Sequence, residues 1–458
     1  MKYVFAFLLS GFVMGLFAQD EDAFFIKSIY DQALEEQFGY QWLGTMTSEV
    51  GHRFSGSSNA DSAVFFVAKH CRAEGFDSVW TQEVEVPRWI RGEKETVRIE
   101  GSNAMDLSAA SLGNSIGTPE GGIRARVVEV KSLEEVDSLG RSGVEGKIIF
   151  YNRPFDNKQL RTFNAYGGAV DQRVYGPEKA AEYGALAAVV RSMTGRLDDH
   201  PHTGVTRYRN DAKAPGIAIS TLDAELLSKQ LKENPELELF IEMDCRNEDP
   251  VISHNVIADW HGSDPNAPII LLGAHLDSWD MGTGAHDDGA GCAHIMDALH
   301  ILRSLGYQPK HHLRLVFFMN EENGLKGGLA YAEYAEKNAV DHLAAIESDA
   351  GGFVPRGFSC DGDETILTKG YKQLNAWADL MSPYGIQFSY GGSGADISPL
   401  KPQGPFLIGL RPDSQRYFDY HHTDQDVFEA VHPRELQLGS AAMAALTYLL
   451  DQYGIADE

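Results

Sequence analysis

Between Ile269 and Gly291 the chain runs IILLGAHLDSWDMGTGAHDDGAG. A short apolar run, Ile269 to Leu272, empties into a loop that carries His275, Asp277, Asp280, His286, Asp287 and Asp288, with glycines between them. Imidazoles and carboxylates at that density are the donor set of a divalent-metal site. Two further apolar runs end in acids. LRLVFFM is followed by Asn320-Glu321-Glu322, and His342 to Ile346 by Glu347-Ser348-Asp349. Near the C-terminus, YFDYHHTDQD adds the adjacent pair His421 and His422. A hydrolytic pair of divalent ions, about 3.5–4 Å apart, needs N and O ligands on each side and a carboxylate between them. It also needs an unligated carboxylate to take a proton from water. His275, Asp287, Glu321, Glu322, Asp349 and a later histidine are available for those roles.

Such groups have to be positioned, and strand ends are the natural place. The apolar runs have the character of buried strands, and the stretches between them have helical periodicity. From Asp288 to Leu305, the residues Cys292, Ile295, Leu299 and Leu302 fall on one face. GGLAYAEYAEK predicts another helix, and Pro433 to about Tyr453 an amphipathic one with proline at its first position. Strands alternating with helices predict an α/β fold, a mostly parallel sheet sandwiched by helices, with chemistry at the carboxyl ends of the strands. Upstream, Ala23 to Gly51 is expected to be mostly helix, and Asn59 or Asp61 to cap a second one. SVWTQEVEVPRWI and KETVRIEG alternate like strands. Between Leu112 and Cys245 the texture changes to glycine- and proline-punctuated short strands such as GKIIFYN, ALAAVVRS, APGIAIS and LELFIEM. This predicts an inserted β-rich domain at 112–245, dividing the main domain into 19–111 and 246–458. Its long polar loop RLDDHPHTGVTRYRN is the part expected to reach a site elsewhere. Gly351 to Tyr420 is expected to be irregular, with one helix, KQLNAWADLM.

The formal net charge of -27 argues against nucleic acid and against anionic membrane surfaces as partners. The opening MKYVFAFLLSGFVMGLFAQ has one lysine followed by an apolar run with small residues near its end. It is expected to be a signal peptide over 1–18, cut after Ala18, which would place the protein outside the cytoplasm, secreted or periplasmic. Export permits disulfides among Cys71, Cys245, Cys292 and Cys360. Cys71 and Cys292 fall on apolar helix faces as buried free thiols, which leaves Cys245 with Cys360 as a pairing open to test.

Taken together, His275 with Asp277, Asp287-Asp288-Gly289, Glu321-Glu322, Asp349 and His422-Thr423 resemble the pattern of the M28 family of co-catalytic zinc peptidases. The resemblance covers essentially the whole chain after the leader. It implies the zinc exopeptidase fold, a protease-associated domain for the insertion, and two Zn²⁺ per chain. It also implies roles: His275 and Asp349 on one zinc, Glu322 and His422 on the other, and Asp287 bridging. Glu321 would be the general base and then the acid to the departing amine. His422 is chosen over His421 because the family's ligand stands just before Thr or Ser. Asp277 is placed to hold the far nitrogen of His275. Asp280 and Asp288 are left to support the loop, and His286 stands where relatives more often have an apolar or amide residue. The PHTG loop, Pro201 to Gly204, and YGGSGADISP are shared with one branch of the family. They make His202, Ser393 and Asp396, with His421, the candidates for touching substrate. The expected function is an exported exopeptidase acting on short peptides with a free amino end, dipeptides first, with a homodimer as the assembly that this branch suggests. Two other readings stand beside it: a non-catalytic binding protein on a peptidase fold, and a single-zinc glutaminyl cyclase. The intact ligand set speaks against the former, and the insertion and branch loops against the latter.

Overall fold

The computed structural model describes residues 20–102 and 104–455; the leader expected at 1–18 lies outside them. A helix over 20–36 breaks at Gln37, whose φ is 55°, and resumes as Phe38–Glu49, so the N-terminal helix is two. Ser57, not Asn59 or Asp61, caps the helix Ser58–Ala73, its hydroxyl accepting the Ala60 N–H. Strand β1 (Ser78–Ile90) comes next. The chain then leaves for a second sheet built from β2 (Glu95–Ile99), β3 (Met105–Leu107), β4 (Ala109–Ser111), β5 (Ile123–Val130), β6 (Ile148–Tyr151), β7 (Ala187–Arg191), β8 (Gly216–Ile219) and β9 (Glu238–Met243). Their spatial order is β3-β2-β9-β5-β6-β7-β8-β4. The return is through β10 (Arg246–Trp260), which runs antiparallel to β1 from Ile90 opposite Arg246 to Ser78 opposite Asp259. Strands β11 (Ile269–His275), β12 (His312–Phe318), β13 (His342–Glu347), β14 (Pro355–Asp361), β15 (Gln387–Tyr390) and β16 (Phe406–Pro412) complete the first sheet. Its order is β1-β10-β12-β11-β13-β16-β14-β15.

Four expectations change. The second lobe begins at Glu95, not at 112, because the KETVRIEG strand pairs with β9; alternation identifies a strand but not the sheet it joins. That lobe is mixed rather than β-rich. Helices Leu133–Val144 and Thr221–Glu233 cover it, each started by a serine, Ser132 and Ser220, that accepts an N–H of the first turn. The first sheet is parallel only at its centre and at one edge pair: β11–β12, β11–β13, β13–β16 and β14–β15 are parallel, whereas β1–β10, β10–β12 and β14–β16 are antiparallel. Finally, the stretch from Gly351 to Tyr420 holds three strands, β14, β15 and β16. All four cysteines are buried free thiols, so Cys245 and Cys360 are not bridged. Among the described residues no helix is long and apolar enough to cross a membrane.

Helices cover both faces of the first sheet, so β11 is buried along nearly its whole length. Ile270, Leu272 and Ala274 point into a core shared with helices Phe38–Glu49, Ser58–Ala73, Ala290–Ser304 and Pro433–Tyr453. Leu271 points the other way, into a second layer with Val316, Phe318, Tyr331 and Ala345. The layering fixes β11, β12 and β13 side by side, and their carboxyl ends therefore open at one edge.

Candidate active site

His275 ends β11 opposite Phe318, and Gly273 lies opposite Glu347, so the residues that follow β12 and β13 emerge beside His275. Its Nε2 lies 3.2 Å from Asp287 Oδ1 and 3.5 Å from Asp349 Oδ1. His422 approaches from the C-terminal loop, with Nε2 at 3.1 Å from Glu322 Oε2 and 3.3 Å from Asp287 Oδ2. The two oxygens of Asp287 thus face different histidines, each histidine with its own further carboxylate. His421 stacks on His422 at 3.5 Å and stands 3.8 Å from Asp287 Oδ2. Among the described residues, the groups able to hold an ion are His275-Asp287-Asp349 and Asp287-His421-His422, with Asp287 common to both.

The electrostatics of the metal-free protein fit cations. Burial alone would raise the Asp287 carboxyl, but hydrogen bonds to His275 and His422 outweigh it and hold the group well below the usual range. Burial pushes His275 down, and its contacts with Asp287 and Asp349 more than reverse this. Burial lifts Glu321 well above the carboxylate range, with Asp349, Asp396 and Glu322 adding to it. Glu322 is pushed up to about 7 by burial and by Asp287, against the pull of His422. Oε1 of Glu322 is buried without a hydrogen-bond partner. A surplus of carboxylates with an orphaned buried oxygen is what divalent ions neutralise, so the residues fit a metal pair.

Residues 255–447 match peptidase family M28. The match reaches well beyond the site. Carboxypeptidase Q of Bos taurus is 32% identical over 425 residues, covering 92% of this chain and 87% of the relative. The chain belongs to peptidase family M28. Carboxypeptidase Q of Xenopus laevis is 33% identical over 432 residues, 93% of this chain and 88% of that one. A solved M28 peptidase precursor from Shewanella amazonensis SB2B superposes with a TM-score of 0.90 at 31% identity, covering 96% of this chain and 99% of that one. A zinc aminopeptidase from Bacillus subtilis shares the fold, with a TM-score of 0.64 at 19% identity, over 90% of this chain and 94% of that one.

Within this M28 site, not every residue stands where the sequence suggested. His275, Asp287, Glu321, Glu322, Asp349 and His422 converge. Asp277 is present but does a different job. Its backbone carbonyl, 2.9 Å away, takes His275 Nδ1, whereas its carboxylate stands off at 3.9 Å. That carboxylate accepts the N–H groups of Asn320 at 2.7 Å, Glu321 at 3.0 Å and Glu322 at 3.4 Å. It therefore fixes the turn that presents Glu321 and Glu322. His202 is buried beside the His421 backbone and in the field of His422, and burial pushes its ring down to about 3. Ser393 and Asp396 lie near the site but are buried, with the Asp396 carboxyl lifted well above its usual range by burial and by Glu347. Their loop packs directly on Glu347, since a Cβ on Gly394 would sit 2.1 Å from that carboxylate. His286 accepts the Gly352 N–H and stacks on Phe353, away from the ligand positions.

Several supports were not evident from the sequence. Arg53 is fully buried and donates to the carbonyls of Leu276, Thr283 and Gly284, clamping both ends of the ligand loop. Asp426 accepts the N–H groups of His286 and Asp287. Asp288 accepts those of His275 and Gly291, and Asp280 is held bidentately by Arg91, as loop-supporting residues should be. Arg53 sits in HRFSG, which has no periodicity or motif to mark it. Asp426 had a signal, its place four residues after His422, that the spacing of chemical groups does not interpret.

Proposed function

We propose that this M28 peptidase is a two-zinc exopeptidase acting on short peptides with a free amino end, dipeptides first. The observation that carries the reading is Asp287, one oxygen toward His275 and Asp349 and the other toward His422 and Glu322. His275 and Asp349 would hold one zinc, Glu322 and His422 the other, with Asp287 between. When bound, zinc would supply electrophilic activation of water and of the scissile carbonyl. Glu321 is the group left unligated. Its backbone is pinned by Asp277 and its side chain is half-buried, in surroundings that favour holding a proton. It takes the proton from the attacking water and returns it to the departing amine nitrogen, so no net proton remains on the protein. A dense set of acids around the site also suits a substrate ammonium. Further parts of the reading are export through the leader at 1–18, a protease-associated identity for the second lobe, and a homodimer.

The test is hydrolysis of a dipeptide, tripeptide and N-acetylated peptide panel by purified enzyme before and after chelation. Zinc should restore what chelation removes, and blocked peptides should resist. Glu321→Gln should retain zinc and lose turnover by about 10²–10⁴-fold; full activity would reassign the base. Bound zinc with no turnover of any peptide would favour the binding-protein reading, and cyclisation of an N-terminal glutamine the cyclase.

A further inference from the structure

The second lobe touches the first at the metal centre itself, through the PHTG loop and a buried arginine. We propose that Arg173 and Thr203 are positioning residues that set the ring of His422, so that the His422–Glu322 side of the centre depends on the second lobe. The inference rests on the two-zinc reading above.

His422 has a φ of 64°, a left-handed backbone conformation that a non-glycine residue keeps only when its surroundings impose it. Thr203 imposes it. Its N–H donates to the His422 carbonyl at 3.0 Å, and its own carbonyl lies 3.3 Å from His422 Nδ1. Thr203 is itself immobilised: it is fully buried, its hydroxyl donates to the Ser111 carbonyl at 2.7 Å, and that same hydroxyl accepts from Arg91 at 3.3 Å. A ring nitrogen that faces a carbonyl must carry the hydrogen, which leaves the Nε2 lone pair for a metal. One residue of the second lobe therefore fixes both the backbone and the tautomer of a ligand in the first.

Arg173 completes the arrangement. It is 3% exposed, and among the described residues its guanidinium reaches no carboxylate. Instead it donates to the Tyr166 hydroxyl at 2.7 Å and to the Thr203 carbonyl at 3.4 Å, and stands 3.4 Å from His422 Nδ1. A guanidinium has no acceptor, so Arg173 and the Nδ1–H group both converge on the Thr203 oxygen and hold it in place. A buried cation without a carboxylate is costly unless a nearby field offsets it. Here the Tyr166 hydroxyl that accepts from Arg173 lies in the field of Glu322 and Asp287. Gly204 marks the closeness of the fit: a Cβ there would fall 2.4 Å from the guanidinium carbon.

The experiment is zinc titration of the full chain against a chromophoric chelator, with melting of the chelator-stripped proteins alongside. The unaltered protein should bind two zincs tightly. Arg173→Met should keep one tight site and weaken the other by about 10–100-fold, the cost typical of losing a group that orients a ligand. Its metal-free melting temperature should be unchanged, and Arg173→Lys should recover part of the affinity. Two tight, unaltered sites in Arg173→Met would overturn the inference while leaving the two-zinc reading intact. So would equal weakening of both sites with a lowered metal-free melting temperature, the pattern of a merely structural role. Fewer than two zincs on the unaltered protein would overturn the two-zinc reading, and this inference with it.

Discussion

Glu322 shows how a single side chain can be tuned for a ligand it has yet to meet. Burial and Asp287 push its carboxyl from 4.5 up to about 7 in the metal-free protein. The folded chain therefore holds that proton more tightly than the unfolded one. Its contribution to stability is complete below about pH 4.5 and is lost as the pH rises through about 7. The melting temperature of stripped protein should fall over that window, and Glu322→Gln, which has no proton to lose, should fall less. A zinc ion competes with the same proton, so affinity should climb as the pH rises through 7, with proton release on binding. Calorimetric titration in buffers of different ionisation enthalpy measures that release directly. Flat zinc affinity from pH 5 to 8 would remove Glu322 from the ligand set.

At the scale of elements, the loop between β11 and the helix Ala290–Ser304 has little secondary structure to hold it, and yet it must place Asp287 beside His275 at the strand end. Arg53 supplies the missing rigidity. Its guanidinium spans carbonyls at both ends of that loop, at 2.7 Å for Leu276, 2.6 Å for Thr283 and 2.9 Å for Gly284. Arg53→Ala would leave the Leu276 and Thr283 carbonyls without this donor, while Gly284 keeps the Gly289 N–H, at a cost of at least about 2 kcal/mol. Denaturant midpoints should drop accordingly, and zinc should bind more weakly because both His275 and Asp287 flank the loosened segment. A variant with unchanged midpoint would mean that water replaces the guanidinium without loss. The Glu321-Glu322 turn has its own clamp in Asp277. Two neighbouring residues of one sequence motif thus serve different elements, His275 the cluster with Asp287 and Asp349 and Asp277 the turn after β12.

For the whole molecule, the site is a junction of three strand ends, a C-terminal loop and the second lobe. Ions bound there would link segments more than 140 residues apart in the chain, from His275 to His422. Binding that occurs only in the native state adds about 2.7 kcal/mol at a hundredfold excess over the dissociation constant. Zinc should therefore raise the melting temperature in a concentration-dependent way, and chelation should lower it. Absence of any zinc-dependent shift in a melting scan would contradict a metal shared between these segments.

The sequence by itself was enough to single out the candidate chemical groups and the central strands. His275, Glu321-Glu322 and Asp349 stand at or just after strand ends, Asp287 opens an Asp-Asp-Gly step and His422 precedes a Thr, and buried parallel strands announce themselves as apolar runs, as in Ile269 to Leu272 and Leu315 to Met319. Local patterns such as these are written into neighbouring residues, so they survive without a structure. What only the tertiary structure decided was which distant groups meet. Alternation in KETVRIEG shows a strand, but its pairing with β9 depends on residues about 140 positions away. The spacing of Asp277 from His275 suggested a carboxylate–imidazole bond, but the turn of the chain brings its carbonyl to the ring and sends the carboxylate to Glu321. Arg53 and Arg173 carry no motif, and the PHTG motif that holds Thr203 does not say which residue it meets. They became visible because burial requires every carbonyl, N–H and charge to find a partner, and those partners are set by packing, not by proximity in sequence.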